Sequence, residues 1–152
     1  MTTALRFAIR AAQRADVAAW LLLRHALWPH EPMVQLEVDI DVYLDLPDTH
    51  LALVAVRPEG GLAGFAEFRL RSFADECYSS PVAYLEGWYV APDCRRLGVG
   101  RELLAAAEPW ARARGCREFG SDTHVENEVS RTTHRALGFK EGKPVVHFRR
   151  PI

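Results

Sequence analysis

Residues 82–101 read Val-Ala-Tyr-Leu-Glu-Gly-Trp-Tyr-Val-Ala-Pro-Asp-Cys-Arg-Arg-Leu-Gly-Val-Gly-Arg, and this stretch decides the fold. Val82 to Val90 is the run of the chain most typical of a β-strand, and residues 91–93, which include a proline, end it. A glycine-containing loop, Arg95 to Gly100, follows the strand. An Ala- and Leu-rich helix is predicted directly after the loop, from Arg101 to Arg114.

The loop between this strand and this helix predicts an anion site. The N-terminus of a helix presents unpaired N–H groups and a partial positive charge. Gly98 and Gly100 allow the backbone to approach a phosphate closely, and Arg95, Arg96 and Arg101 add positive charge. An ordinary turn before a helix is equally compatible with these residues alone. The loop lacks the third glycine of a dinucleotide fingerprint and the Gly-Lys-Ser/Thr of a P-loop.

Hydrophobic periodicity extends the pattern in both directions along the chain. Upstream it predicts a strand over Leu5–Arg10, helices over Arg14–Leu27 and Glu31–Asp48, and a hairpin of strands over His50–Arg57 and Leu62–Arg71. Downstream it predicts a strand over Arg117–Thr123, a helix over Asn127–Leu137 and a final strand over Val145–Arg149. The order β-α-α-β-β-β-α-β-α-β, without a visible linker, predicts one α/β domain with a mixed sheet over residues 1–152.

Composition narrows the class of protein. The chain has 152 residues, 49% hydrophobic and 26% charged, with a formal net charge of −1. That balance is typical of a globular domain and gives no reason to expect nucleic acid or an anionic membrane as a partner. We find no apolar run of the roughly 20 residues that a membrane span needs. Met1 to Phe7 lacks the pattern of a secretory signal peptide, so we expect a cytoplasmic protein.

The cysteines do not indicate a metal or a disulfide. Cys77, Cys94 and Cys116 are odd in number and have no CxxC spacing. We therefore expect no metal, and we interpret all three as small packing residues in a reducing compartment.

Two motifs together resemble the GNAT superfamily of N-acetyltransferases. The first is Leu85 to Leu104, with Arg95-Arg96-Leu97-Gly98-Val99-Gly100 at its centre, and the second is Asn127-x-x-Ser130-x-x-x-His134-x-x-Leu137-Gly138-Phe139. The resemblance covers nearly the whole chain. It implies the GNAT fold, with a splayed central strand, and acetyl transfer from acetyl-CoA to an amine.

The resemblance also implies which residues bind acetyl-CoA. The N–H groups of Gly98 to Arg101 would hold the pyrophosphate, and backbone groups of Trp88 to Val90 would pair with the pantetheine arm. Asn127 would bind near the pantetheine end. The expected cofactor-binding residues are Trp88, Tyr89, Val90, Arg95, Arg96, Leu97, Gly98, Val99, Gly100, Arg101 and Asn127.

Within the superfamily, the chain resembles the bacterial aminoglycoside 6'-N-acetyltransferases. Four stretches carry this resemblance: Leu27-Trp28-Pro29, Ser79 to Gly87, Gly115-Cys116-Arg117-Glu118, and Ser121-Asp122-Thr123 with Glu126-Asn127 and 134–139. The resemblance implies a homodimer that acetylates a polycationic amine, and it implies that Trp28, Glu86 and Asp122 bind the drug.

The chemistry of such a substrate agrees with the acidic segment from Glu31 to Asp48, which contains no Lys or Arg. Clustered carboxylates suit an acceptor with several ammonium groups, and Trp28 can cover a sugar face or lie over an ammonium. A solvated acidic helix face explains the same segment without any ligand.

Catalysis requires the attacking amine to lose a proton, because an ammonium has no lone pair. Glu86 on the central strand is the candidate to orient that amine, directly or through a water, and Asp122 can bind the same or a neighbouring ammonium. The structural alternative for Glu86 is a strand carboxylate paired with an arginine, and for Asp122 it is a cap or turn residue. Regular alternation puts Trp88 and Val90 on the face of Glu86, which a bulge would change.

Other candidate residues mark departures from the family pattern. His134 stands where many members have a tyrosine that protonates the departing thiolate, and a helix-packing role is as compatible. Phe73 stands where the drug-binding branch often has a tyrosine, for which Tyr78 can compensate. Lys143 stands where that branch can place an acidic substrate contact, and Glu141 is close by.

Two further hypotheses stay open at the level of sequence. The acceptor can be another amine, such as a polyamine, an amino sugar or a protein N-terminus, because an acidic cleft suits polyamines equally well. The chain can also be a non-catalytic module that binds acyl-CoA or sequesters a drug.

Overall fold

The computed structural model describes residues 7–152, so Leu5 and Arg6 of the first predicted strand lie outside the described residues. Its elements are β1 (Ala8–Ala11), α1 (Val17–Leu27), α2 (Met33–Asp45), β2 (His50–Val56), β3 (Leu62–Arg71), β4 (Val82–Val90), α3 (Val99–Ala113), β5 (Phe119–Ser121) and α4 (Glu128–Ala136). The strands form one sheet in chain order. The first four strands are antiparallel neighbours, and β5 is parallel to β4. The mixed α/β fold is therefore confirmed.

The chain forms two compact units, residues 1–121 and 122–152. In the first unit, α1 and α2 cover one face of the sheet, where Trp20, Ile40 and Phe65 are fully buried. Side chains alternate along a strand, so Leu70 of β3 lies on the face opposite to Phe65 and packs with residues of α3. The sheet is therefore covered on both faces.

The helix α2 forms where its periodicity predicts, but its buried face differs from the most regular apolar series. Val34, Val38 and Val42, spaced four residues apart, are exposed. Leu36 and Ile40 are the buried residues of the helix instead. Both sets of residues have helical spacing, so the sequence pattern alone does not determine which face of α2 is buried. The packing of the helix against the sheet determines it.

A bulge interrupts β4 at Glu86. The pairing of β3 with β4 runs from Glu67 opposite Gly87 to Phe68 opposite Leu85, which leaves Glu86 as the extra residue. Consecutive residues Glu86 and Gly87 consequently face the same side of the sheet. The regular alternation that places Trp88 on the face of Glu86 is therefore wrong.

The central strand β4 extends well past its neighbour β5. Their pairing ends at Leu85 opposite Ser121, whereas β4 continues to Val90. This is the splayed central strand expected from the family resemblance, and it leaves one side of the second half of β4 uncovered by β5.

The second unit contains α4, which begins after Asn127, and no strand. The predicted strand over Val145–Arg149 is wrong: this segment has no regular secondary structure and pairs with no strand of residues 7–152. Its large apolar side chains are exposed, Val145 at 66%, Val146 at 77% and Phe148 at 94%. A strand needs a neighbour for its backbone N–H and C=O groups, and alternation in the sequence cannot supply one. No helix of the described residues is long and apolar enough to cross a membrane.

Candidate active site

The glycine loop ends in a helix N-terminus with free backbone donors. Gly98 caps α3 with a left-handed backbone, φ 84°, which glycine adopts without steric cost. The N–H group of Glu102 donates the first hydrogen bond of this helix, to the carbonyl of Gly98 at 3.0 Å. The N–H groups of residues 99–101 precede that bond and point beyond the helix end. This geometry fits a pyrophosphate.

Two arginines hold the loop in place. Arg57 makes a two-point contact with Asp93, at 2.6 and 2.9 Å, and this contact lowers the pKa of Asp93 to about 2. Arg95 donates from Nε to the carbonyl of Val90 at 2.9 Å, and its guanidinium lies 5.4 Å from the centre of the Tyr89 ring. Arg95 therefore links the loop to the end of β4, in addition to bringing positive charge to it.

Trp28 lies against the bulge of β4. It caps the C-terminus of α1, and its ring centre lies 6.4 Å from that of Phe65. A Cβ atom on Gly87 would come within 2.4 Å of Cη2 of the indole. The glycine therefore makes the space that the indole fills, directly beside Glu86.

Glu86 is held between two arginines of β3. Its carboxylate lies 2.6 Å from Nε of Arg69 and accepts hydrogen bonds from Arg71 at 3.0 and 2.8 Å. Arg71 in turn lies over the ring of Tyr84, 3.6 Å from its centre. The Glu86 side chain is 21% exposed, so it remains reachable by a ligand. The negative charge of the Glu86 carboxylate is therefore compensated by two guanidinium groups in the absence of a ligand.

The acidic segment is partly engaged within the chain. Arg14 pairs with Asp41 and Asp45, and Arg24 lies 3.6 Å from Asp39. The other acidic side chains of this segment are exposed: Glu31, Glu37 and Asp48. Five of the six carboxylates are therefore exposed, as a solvated helix face requires, and two of these five form ion pairs with Arg14.

The second unit carries four of the predicted site residues, Asp122, Asn127, His134 and Glu141. Asp122 is exposed and follows the last residue of β5. The side-chain oxygen of Asn127 accepts from the N–H group of Ser130 at 3.1 Å, which caps α4 and leaves its NH2 group for another acceptor. Nδ1 of His134 lies 2.8 Å from the carbonyl oxygen of Ser130 and 3.3 Å from the hydroxyl oxygen of the same residue.

The remaining substrate candidates differ in their surroundings. Glu141 pairs with Arg131 at 2.7 Å and with Arg135 at 3.1 Å, and these guanidinium groups lower its pKa. Phe73 and Tyr78, by contrast, are 70% and 90% exposed. Glu141 therefore has its charge compensated, whereas the two aromatic rings are open to a ligand.

Comparison with known proteins identifies the family. The acetyltransferase (GNAT) family model matches residues 4–139. The chain belongs to the GNAT acetyltransferase family. It is 45% identical over 146 residues to an aminoglycoside N(6')-acetyltransferase type 1 of Klebsiella aerogenes, covering 95% of this chain and 96% of the relative.

Solved structures of acetyltransferases agree over the whole fold. AAC(6')-Iy in complex with a bisubstrate analogue, CoA-S-monomethyl-acetylneamine, has a TM-score of 0.90 at 36% identity, covering 97% of this chain and 99% of that chain. AAC(6')-Iy in complex with CoA has a TM-score of 0.92 at 35% identity, covering 100% of this chain and 99% of that chain.

The structure joins stretches of this acetyltransferase that sequence reasoning treated separately. The carboxylate of Glu118 accepts from the N–H groups of Tyr78 and Ser79 at 2.8 Å each, and from the Ser79 hydroxyl. The Ser-Ser-Pro stretch and the Gly-Cys-Arg-Glu stretch are therefore in contact. The Leu-Trp-Pro and Leu-Glu-Gly stretches are also in contact, because the indole of Trp28 packs against Gly87.

Several residues around Glu86 in this acetyltransferase are not predicted by any motif. They are Arg69, Arg71 and the buried carboxylate of Glu67. A signal existed for Glu67, since an acidic residue in the run Phe65-Ala66-Glu67-Phe68 breaks an otherwise apolar strand. The helical spacing of Arg24 with Trp20 was a second signal, because it puts a cation on the buried face of α1.

The cysteines of the acetyltransferase are poor candidates for a catalytic nucleophile. Cys94 and Cys116 are buried, Cys77 is half-buried, and none forms a disulfide. Burial raises the pKa of all three thiols, which keeps them protonated. Residues 7–152 contain no cluster of His, Cys, Asp or Glu that could hold a metal ion.

Proposed function

We propose that this acetyltransferase moves the acetyl group of acetyl-CoA to the 6'-amino group of aminoglycosides. One observation carries the proposal: in the first unit, Trp28 lies against Gly87 beside Glu86, on the strand whose far end leads into the donor-rich terminus of α3. The carboxylate thus lies on the strand that leads into the cosubstrate loop, Arg95 to Gly100, and the aromatic ring packs against that strand from the end of α1. The sequence identity to aminoglycoside acetyltransferases selects the acceptor class.

The cosubstrate half of the mechanism uses backbone groups. The N–H groups of residues 98–101 bind the pyrophosphate, and Arg96 and Arg101 add charge at the same end of α3. The part of β4 beyond Leu85, from Trp88 to Val90, binds the pantetheine arm as an added strand. A backbone N–H of β4 polarises the thioester carbonyl. The NH2 group of Asn127 is the further donor to the cosubstrate.

The acceptor half uses side chains. Trp28 covers a sugar ring, with Phe73 and Tyr78 as further contacts, and Glu86 orients the 6'-amine and takes its proton directly or through a water. The amine nitrogen then attacks the thioester carbon within a ternary complex. The C–S bond breaks as the amide forms, and the thiolate receives a proton, for which His134 is the candidate donor.

Charge explains the preference for a polycation. Asp122 binds a second ammonium group, and the exposed carboxylates of the acidic segment raise the local concentration of cations. Glu141 is a weaker candidate contact, because Arg131 and Arg135 already compensate its charge. Lys143 is exposed in the same unit and disfavours any ammonium that approaches it.

A thiol-release assay tests the reaction and the position together. Paired aminoglycosides that carry either a 6'-amine or a 6'-hydroxyl are supplied with acetyl-CoA. We expect turnover well above the acetyl-CoA background with the amine member alone, because a hydroxyl is the poorer nucleophile and cannot form the amide. Equal release with both members, or release only with linear polyamines, would contradict the proposed acceptor. Binding without release would favour a non-catalytic module.

We further propose that the acetyltransferase acts in the cytoplasm, as a single functional domain over residues 1–152 and as a homodimer. The segment Val145 to Phe148 supports the dimer, because its sequence has the pattern of a strand, its large apolar side chains are exposed and it has no partner strand within residues 7–152. Exposed strand-like segments of this kind are covered by pairing with another chain.

Light scattering coupled to size exclusion tests the dimer. We expect the mass of two chains for the wild type. Phe148→Asp is expected to raise the dimer dissociation constant by at least about tenfold, the cost of placing a charge at an apolar contact. Leu22→Asp, at an apolar residue of α1 that is 65% exposed, serves as the matched control and should leave the mass unchanged. A wild-type mass of one chain, or equal dissociation constants for Phe148→Asp and wild type over a dilution series, would contradict the proposal.

A further inference from the structure

Glu67 is a fully buried carboxylate that the proposed reaction does not use. Its Oε1 atom accepts a hydrogen bond from Nε1 of Trp20 at 2.9 Å. Nε of Arg24 lies 3.1 Å from the same oxygen, close enough for an ion pair although not aligned as a hydrogen bond. The other oxygen, Oε2, has no hydrogen-bond partner among residues 7–152. Burying a carboxylate this incompletely satisfied is costly, so packing alone does not explain it.

Arg24 connects this carboxylate to the acceptor side. The arginine is 4% exposed, and its Nη1 atom donates to the carbonyl of Leu36 at 2.6 Å. Its guanidinium carbon lies 5.0 Å from the centre of the Trp28 ring. The position of the guanidinium is therefore fixed by α2 on one side and by Glu67 on another, and the indole rests against it.

The Trp28 indole depends on such contacts for its orientation. Trp28 follows the last residue of α1 and has non-helical backbone angles, φ −123° and ψ 70°. Side-chain neighbours rather than the helix therefore set the plane of the ring. Those neighbours are Phe65, Gly87 and Arg24.

We propose that Glu67 is a positioning residue for acceptor binding, because it anchors Arg24 and thereby holds the Trp28 indole against Gly87 beside Glu86. This inference rests on the proposed role of Trp28 as an acceptor contact. Glu67 itself is inaccessible and touches no substrate. Its loss changes how well the acceptor binds and leaves the cosubstrate loop, at the other end of β4, unaffected.

The ionisation of Glu67 gives this link a pH dependence. Burial raises the pKa of Glu67 to about 7, against the opposing effects of Arg24 and of the Trp20 hydrogen bond. Asp39 of α2 and Glu86 of β4 raise this pKa further. The phenol of Tyr43, also from α2, faces the same carboxylate and has its own pKa raised by burial. The ion pair between Glu67 and Arg24 is therefore strongest above pH 7, where Glu67 is ionised, and it weakens as the pH falls through that value and Glu67 becomes protonated.

Steady-state kinetics of Glu67→Gln test the proposal. At pH 8 we expect the aminoglycoside KM to rise roughly fivefold to thirtyfold, within the range of measured couplings between contacting residues. The acetyl-CoA KM is expected to stay within about twofold. At pH 6, where wild-type Glu67 is largely protonated, the ratio of the two aminoglycoside KM values should fall toward one. Asp16→Asn, which removes another buried carboxylate with an arginine partner, is the control and should change neither KM.

A double-mutant cycle separates positioning from a merely structural role. In a Trp28→Ala background, Glu67→Gln is expected to have little further effect on the aminoglycoside KM, since the indole it positions is absent. An unchanged effect in that background would overturn the proposal, and so would an equal rise in the KM of both substrates. Where Glu67→Gln does not fold, Arg24→Lys replaces it, because lysine keeps the charge but loses the planar group that lies against the indole.

Fluorine NMR keeps this test independent of the proposed function. The four tryptophans are labelled with 5-fluorotryptophan, and the Trp28 signal is assigned from Trp28→Phe. Glu67→Gln is expected to shift or broaden that signal, and the wild-type signal should titrate with a midpoint near pH 7. A Trp28 signal that is unaffected by both Glu67→Gln and pH would overturn the positioning role. Absence of aminoglycoside turnover would instead contradict the proposed function while leaving this readout intact.

Discussion

Replacing Glu86 with glutamine is expected to lower kcat for aminoglycoside acetylation by roughly 10²–10⁴-fold, the range typical of a lost general base. Glutamine keeps the size of the side chain and an oxygen that can accept from Arg71, but it cannot take a proton from the attacking amine. The acetyl-CoA KM should change by less than about twofold, because the proposed cosubstrate contacts are backbone groups beyond the bulge. Initial rates with both substrates varied give these constants.

The competing explanation is that Glu86 only neutralises its two arginines, whose charges would otherwise repel a cationic acceptor. A triple variant, Glu86→Gln with Arg69→Met and Arg71→Met, distinguishes the two roles. If Glu86 acts on the amine, this variant stays as inactive as Glu86→Gln. Recovery of activity to near the wild-type rate would show that neutralisation was the role of Glu86, and would remove it from the mechanism.

The sequence predicted those elements whose own pattern is sufficient to define them. The bounds of β3 and β4 were predicted correctly, because alternating or continuous apolar runs between clear turn residues leave little choice. The final strand over Val145–Arg149 was wrong for the opposite reason. Its residues have the pattern of a strand, but pairing depends on a neighbour that residues 7–152 do not provide.

The parts of the candidate site that depend on residue type and spacing could be predicted from the sequence. The parts that depend on contacts made in the folded structure could not. The helix N-terminus after Gly98 follows from the glycines of the loop and from the pattern of the helix after it, and its role in binding the cosubstrate stays a prediction. The ion pairs of Glu86 with Arg69 and Arg71 depend on the bulge, which shifts the register by one residue and has no signature in the run Leu85-Glu86-Gly87. Glu67 was missed because only the packing of α1 on the sheet brings Arg24 to it.

Gly87→Ala is the second substitution with a large expected effect, although it adds only one methyl group. The new Cβ would lie 2.4 Å from Cη2 and 2.7 Å from Cζ2 of Trp28, so the indole must move. Because these atoms are the far end of a side chain, we expect the protein to fold with a loss of about 1–3 kcal/mol in the free energy of unfolding. The aminoglycoside kcat/KM should fall roughly 10–200-fold, as for a pocket altered by one methylene.

Gly120→Ala is the matched control for this effect. Its Cβ would lie 2.8 Å from Cδ2 of Tyr84, a clash of the same kind with the edge of a ring, on the same sheet but away from Trp28. Because Arg71 lies over the Tyr84 ring and binds Glu86, any effect of this control on the reaction should fall on kcat. Both variants should lose thermal stability, and only Gly87→Ala should raise the aminoglycoside KM. In a Trp28→Ala background the space is already open, so adding Gly87→Ala should cost little more. Equal losses of aminoglycoside kcat/KM in the two glycine variants would mean that general strain in the sheet, rather than displacement of the indole, controls the acceptor site.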